Sequence, residues 1–206
     1  MKPSLHRLLR VVALGMGISL MTATTASANT GRDDSFHRSL TFATYNIDLG
    51  ADLSPVFGAT GLSLIQKAAT AWAEVQASNF PERAQSLARL LAKRSPDVIG
   101  LQEVALWQTG SFNPANPLDP NVVFTTNYDF LVLLRDALAA RGFKYAVADD
   151  NITFVGQAPV SLSQQVRYTD RNVILVRAGH HGVDYTTPAP GGHVYAARIP
   201  TSVGGV

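Results

Sequence analysis

Pro96-Asp97-Val98-Ile99-Gly100-Leu101-Gln102-Glu103-Val104 is the stretch on which the reading of the fold turns. A proline turn leads into a short apolar run, Asp97 to Gln102, as expected for a strand buried on both faces, and the run closes on a carboxylate. Upstream, Pro81 suits a first helical position, and Ala84, Leu87, Ala88 and Leu91 recur at helical spacing until Pro96 stops the helix. Before that, Leu62 to Ser78 carries Leu64, Ala68, Ala71 and Val75 on one helical stripe. Further back, Leu40 to Asn46 is rich in β-formers, alternates in side and stops at a polar run, so it reads as a strand ending at Asn46. Strand, helices, strand is an α/β order.

Downstream, Trp107 to Tyr128 holds Pro114, Pro117, Pro120, Asn113, Asn116, Asn121 and Asn127 and reads as one long irregular loop, of a length that is often functional. Asp129 to Arg141 reads as a third helix, with Leu131, Leu134 and Leu138 inward and Gly142 at its end. Strands are expected at Phe143 to Ala148, Asn172 to Arg177 and His193 to Ile199.

The start of the chain has another character. Lys2, Arg7 and Arg10 precede an apolar run from Val11 to Met21, and Ala26-Ser27-Ala28 supplies small residues for cleavage, so residues 1–28 read as a secretory signal. The run falls well short of the roughly 20 apolar residues of a bilayer span, and no stable membrane anchor is expected. Residues 29–39, which lack hydrophobic periodicity, are expected to be a flexible lead-in and 40–206 the domain. The chain's formal charge is +2, but the leader holds three of its 17 basic residues and none of its 15 acidic ones, leaving the exported part at −1. The basic balance belongs to the leader, and no basic stripe for a nucleic acid remains. With 0 Cys, a disulfide partner, a thiolate zinc site, an iron–sulfur cluster and a cysteine nucleophile are excluded.

Asn46 and Glu103 each stand just past a strand, where polar residues of an open α/β sheet line a ligand crevice. Their segments, Thr44-Tyr45-Asn46-Ile47-Asp48 and the Pro96 to Val104 stretch, resemble the two N-terminal motifs of the endonuclease/exonuclease/phosphatase superfamily, the deoxyribonuclease-I-like hydrolases. In that family the first strand ends in an Asn, and a strand of the form P-D-V-I-x-L-Q-E ends in a metal-binding Glu. The resemblance implies an αββα sandwich, with Mg²⁺ (or Mn²⁺) held by Glu103 and Asn46 orienting phosphate or metal-bound water. It also implies a phosphate-ester substrate: a nucleic acid, a phospholipid head group or a small phosphodiester. The segment Asp170 to Arg177 looks like the family's middle strand and gives Arg171 a role at the substrate phosphate. The chemistry fits, because a hard cation on a carboxylate offsets the charge that phosphodiester hydrolysis builds on oxygen.

Two of the family's second-half elements, an Asn-x-His or Thr-His strand end and a terminal Ser-Asp-His, have no counterpart here. His180 and His181 are neighbours that a strand would point to opposite faces, so they read as solvated loop residues. The expectation is therefore a secreted phosphoesterase domain incomplete at its C-terminus, with little activity as a 206-residue chain. The alternative is a non-catalytic secreted binding module that keeps the half fold.

Overall fold

A computed structural model describes Thr25–Ala26 and residues 39–179 of the chain. It is a mixed α/β fold with three helices and one seven-stranded sheet among those residues. The strands are β1 (Thr25–Ala26), β2 (Leu40–Asn46), β3 (Val98–Gln102), β4 (Leu106–Ser111), β5 (Thr125–Asp129), β6 (Tyr145–Pro159) and β7 (Gln164–Arg177). The helices are α1 (Gly61–Ala77), α2 (Phe80–Arg94) and α3 (Phe130–Ala139). The two-residue β1 pairs antiparallel with Leu40 and Thr41. It precedes the expected cleavage point after Ala28.

The parallel pair β2–β3 is the crossover that the sequence order requires, and α1 and α2 form its connection. The long strand β7 is the spine of the sheet. Its C-terminal half pairs with β3 and its N-terminal half with β4 on one edge, while β6 runs along the whole of the other. Register places Ala43, Ile99, Leu175 and Val147 in one row across the sheet. The first three are buried, in the same core as Ala84, Ala88 and Leu91 of α2 and Leu134 and Leu138 of α3. The stacked rings of Phe80 and Phe130, 3.5 Å between centroids, join the starts of α2 and α3.

The next row, Phe42, Val98, Val176 and Ala146, points the other way, and so does the row Thr44, Gly100, Ile174 and Asp149. Phe42 is 36% exposed and Ile174 42%. The expectation that β3 is buried on both faces is therefore corrected: Ile99 and Leu101 are buried, while Val98, Gly100 and Gln102 alternate with them at intermediate exposure. The reason is that no second sheet lies on this face among the described residues.

The stretch from Trp107 to Tyr128 is also corrected. Its ends are strands β4 and β5, paired with each other, and only residues 112–124 between them are irregular. The strand expected at Phe143 to Ala148 runs on to Pro159, and the one expected at Asn172 begins at Gln164. The three helices lie within two residues of their expected bounds. Asp129 caps α3, accepting from the Leu131 and Val132 amides, and Gly142 takes φ 82 just after it, a left-handed geometry that costs glycine little. No helix of the described residues is long and apolar enough to cross a membrane. The strand expected at His193 to Ile199, and His180 and His181, lie outside the described residues.

Candidate functional site

Because β2 and β3 are parallel neighbours with Asn46 paired to Gln102, the residues that end them meet in space. Asn46 Nδ2 donates to Glu103 Oε1 at 2.6 Å, and the Leu49 amide donates to Glu103 Oε2 at 2.9 Å. Asn46 Oδ1 accepts the Asp48 amide at 2.8 Å, so the two ends of its amide have different partners and its orientation is fixed. Each carboxylate oxygen of Glu103 thus accepts one hydrogen bond and keeps further lone-pair capacity.

The backbone is bent to make this contact. Glu103 has φ 56 and Asp48 φ 61, two of the four non-glycine residues with positive φ among the described residues. A left-handed glutamate costs roughly 1–3 kcal/mol and persists only where its surroundings enforce it. Here the Val104 amide donates to the Arg171 carbonyl and the Ile47 amide to the Gln102 carbonyl, clamping both sides of the turn. Arg83 holds the loop after Asn46 by donating to the carbonyl oxygens of Ile47 and Asp48. A cleft of about 620 Å³ adjoins Asn46 there, lined by Tyr45, Asp48, Arg83 and Leu87 among others.

Two further residues join the site. Along β7, Tyr168, Asp170, Asn172 and Ile174 alternate onto one face, and register puts Ile174 on the same face as Thr44 and hence Asn46. Asp170 Oδ2 accepts from Thr153 Oγ1, while its Oδ1 is buried with no hydrogen-bond donor in range. Tyr168 lies beside this carboxylate. Burial first, then the Asp170 carboxylate through its charge and its hydrogen bonding to the phenol, and last the charge of Glu103, push its phenol far above the usual tyrosine range and hold it protonated. Tyr168 escapes a sequence reading that starts the strand at Asn172, and Asp170 stands at the head of the Asp170 to Arg177 segment without a role there; the signal that finds Tyr168 is the strand continuing back through Thr169.

Arg171 is placed differently from Asn46 and Glu103. Its side chain is buried, donating from Nε to the Val104 carbonyl at 3.0 Å and from Nη2 to Asp129 Oδ1 at 2.6 Å, with Asp150 3.7 Å from Nη1. It binds the β3–β4 turn to the cap of α3, and so braces Glu103 from behind through Val104.

The residues suit a hard cation. Mg²⁺ keeps several waters and is commonly held by one or two carboxylates, and the site offers the oriented carboxylate of Glu103. No group of three His, Asp or Glu gathers as a closed metal cage among the described residues. Comparison of the chain with protein-family models, with curated proteins and with solved structures returned no match.

Proposed function

We propose that the chain is a divalent-metal-dependent phosphoesterase domain of the deoxyribonuclease-I-like kind. The observation that carries this reading is the Asn46–Glu103 contact, in which two strand ends far apart in sequence present one oriented carboxylate. Glu103 would hold Mg²⁺ or Mn²⁺. Bound there, the cation supplies charge neutralisation for phosphoryl and leaving oxygens. Asn46 fixes the Glu103 rotamer, the Leu49 amide holds its second oxygen, and the neutral Tyr168 phenol supplies a donor without adding charge. Arg171 acts as a positioning residue, its guanidinium committed to Asp129 and the Val104 carbonyl. Secretion through the N-terminal leader belongs to the same reading, as does the αββα sandwich, whose second sheet would cover Phe42 and Ile174.

Calorimetric titration of the chain with Mg²⁺ tests the site. Saturable binding that is lost in Glu103→Gln is expected. Binding of equal strength in wild type and Glu103→Gln, or none in wild type, overturns the metal assignment and leaves the non-catalytic module as the better account.

A further inference from the structure

Register aligns Tyr128, Trp107, Tyr168 and Gly156 in a row across β5, β4, β7 and β6, on the sheet face that also carries Asn46. Trp107 and Tyr168 stack at 4.5 Å, Trp72 of α1 leans on Trp107 and Tyr128, and Phe154 leans on Tyr168. Between this row, α1 and the loop before it lies a cavity of about 70 Å³, walled by Leu53, Val56, Trp72, Trp107, Phe154 and Tyr168 among others. That is several times the roughly 10–15 Å³ a water molecule needs. Phe57 also lines it and is 45% exposed, so the cavity reaches the surface.

The cavity is joined to the Glu103 site through one residue. Leu49 donates its amide to Glu103 Oε2 at 2.9 Å and accepts the Trp107 indole at its carbonyl at 3.0 Å. Tyr168 joins them a second time, its ring in the cavity wall and its hydroxyl end beside Asp170. The Leu49 backbone and the Tyr168 side chain are thus the two elements that the cavity wall and the Glu103 site have in common.

The lining selects the occupant's chemistry. Apart from Gln157 and the Tyr168 hydroxyl it is hydrocarbon and aromatic carbon, and the Trp107 N–H is already spent on Leu49. A nucleobase placed there would leave its ring nitrogens and exocyclic groups unpaired, whereas an alkyl chain loses nothing. We propose that the cavity binds the alkyl portion of an amphiphilic phosphate ester whose phosphate sits at Glu103. This rests on the phosphoesterase reading for the phosphate end only.

The chain's two tryptophans, Trp72 and Trp107, both wall the cavity, so intrinsic emission reports its occupancy. The probes are n-hexyl phosphate, methyl phosphate and thymidine 5′-phosphate, with affinities measured calorimetrically in Mg²⁺. Hexyl phosphate should shift the emission saturably and bind at least about tenfold more tightly than methyl phosphate, the gain from burying about two methylene groups. Ala71→Phe should bring hexyl phosphate down to the methyl phosphate level; should that variant not fold, Ala68→Leu fills the same space with a smaller side chain. Equal affinities for hexyl and methyl phosphate in wild type overturn the proposal, and so does thymidine 5′-phosphate matching hexyl phosphate. A hexyl preference kept in Glu103→Gln supports the cavity, because the ratio does not require the metal; failure of the Mg²⁺ titration and failure of the cavity are therefore read separately.

Discussion

Asn46 Nδ2 sits 2.6 Å from Glu103 Oε1, across 57 positions of sequence. The contact follows from parallel pairing, since neighbouring parallel strands end at the same level and each delivers its last polar residue to the same edge. Its consequence is that a carboxylate at intermediate exposure on a left-handed turn, otherwise free to choose among rotamers, is held in one of them.

Under the proposed metal assignment, Asn46→Ala should therefore weaken Mg²⁺ binding without touching the carboxylate. Partners that orient a ligand are typically worth about 10- to 100-fold in metal affinity, and a loss in that range is expected by calorimetry. In a Glu103→Gln background the Asn46 change should have no further effect, because the two residues act as a unit. Wild-type affinity in Asn46→Ala would show that Leu49 alone orients Glu103.

The parts of the fold legible in the sequence are those where one face of an element is buried. β2 carries its expected bounds, Leu40 to Asn46, and α2 shows its stripe, because Ala84, Ala88 and Leu91 meet the core at every turn. β4 and β5 were hidden because their pairing is carried by backbone; LWQTGS and TTNYD have little apolar alternation, and prolines and asparagines between them dominate any composition window. The outer half of the β6–β7 hairpin was hidden for the same reason, its exposed Asn151, Thr153, Gln157 and Gln164 breaking the pattern. The Asn46–Glu103 pair needed only strand order. Arg171 needed the position of the α3 cap, which no local pattern encodes.

Ser95 offers a stabilising change. It ends α2 at φ 46, with its amide bonded to the Leu91 carbonyl, in a geometry that costs a non-glycine residue roughly 1–2 kcal/mol. Ser95→Gly removes that cost and adds about 0.5–1 kcal/mol of unfolded-chain entropy. The net is a gain of about 0.5–1 kcal/mol, a rise of a few degrees in Tm by scanning calorimetry; a fall would show that the Ser95 hydroxyl bond to Ala92 matters more than the backbone.

Arg171→Met tests the bracing role. Removing the guanidinium leaves Asp129 and Asp150 facing each other without their cation. A fully buried pair broken this way costs about 3–5 kcal/mol, and because both aspartates keep some solvent the expected loss is roughly 2–3 kcal/mol by urea denaturation. Burial already raises the Asp150 carboxyl above its ordinary range, with Arg171 opposing the rise. Without Arg171 the folded state should take up a proton there more readily, so the deficit of the variant shrinks as pH falls toward that carboxyl's range. A deficit constant with pH would exclude the aspartates as its source.

Tyr145 carries an alkaline signature. Its hydroxyl donates to the Pro96 carbonyl at 2.7 Å at the head of the turn into β3, and burial is the first cause that pushes its phenol up to about 12, with Asp97 adding to the rise and Arg177 opposing it. A folded pKa above the unfolded value of 10.0 means that the folded state holds the proton more tightly, so the stabilisation is fully present below pH 10.0 and is lost as pH rises through about 12. Tyr145→Phe removes the titrating group and leaves the Pro96 carbonyl without its donor, at a cost of about 1–3 kcal/mol near neutral pH. Because wild type falls across the alkaline window while this contribution is absent from the variant, their unfolding free energies should converge there. Parallel curves from neutral to alkaline pH would show that the Tyr145 proton is not coupled to folding and that the turn before Val98 is held by the Thr41 and Asp97 contacts alone.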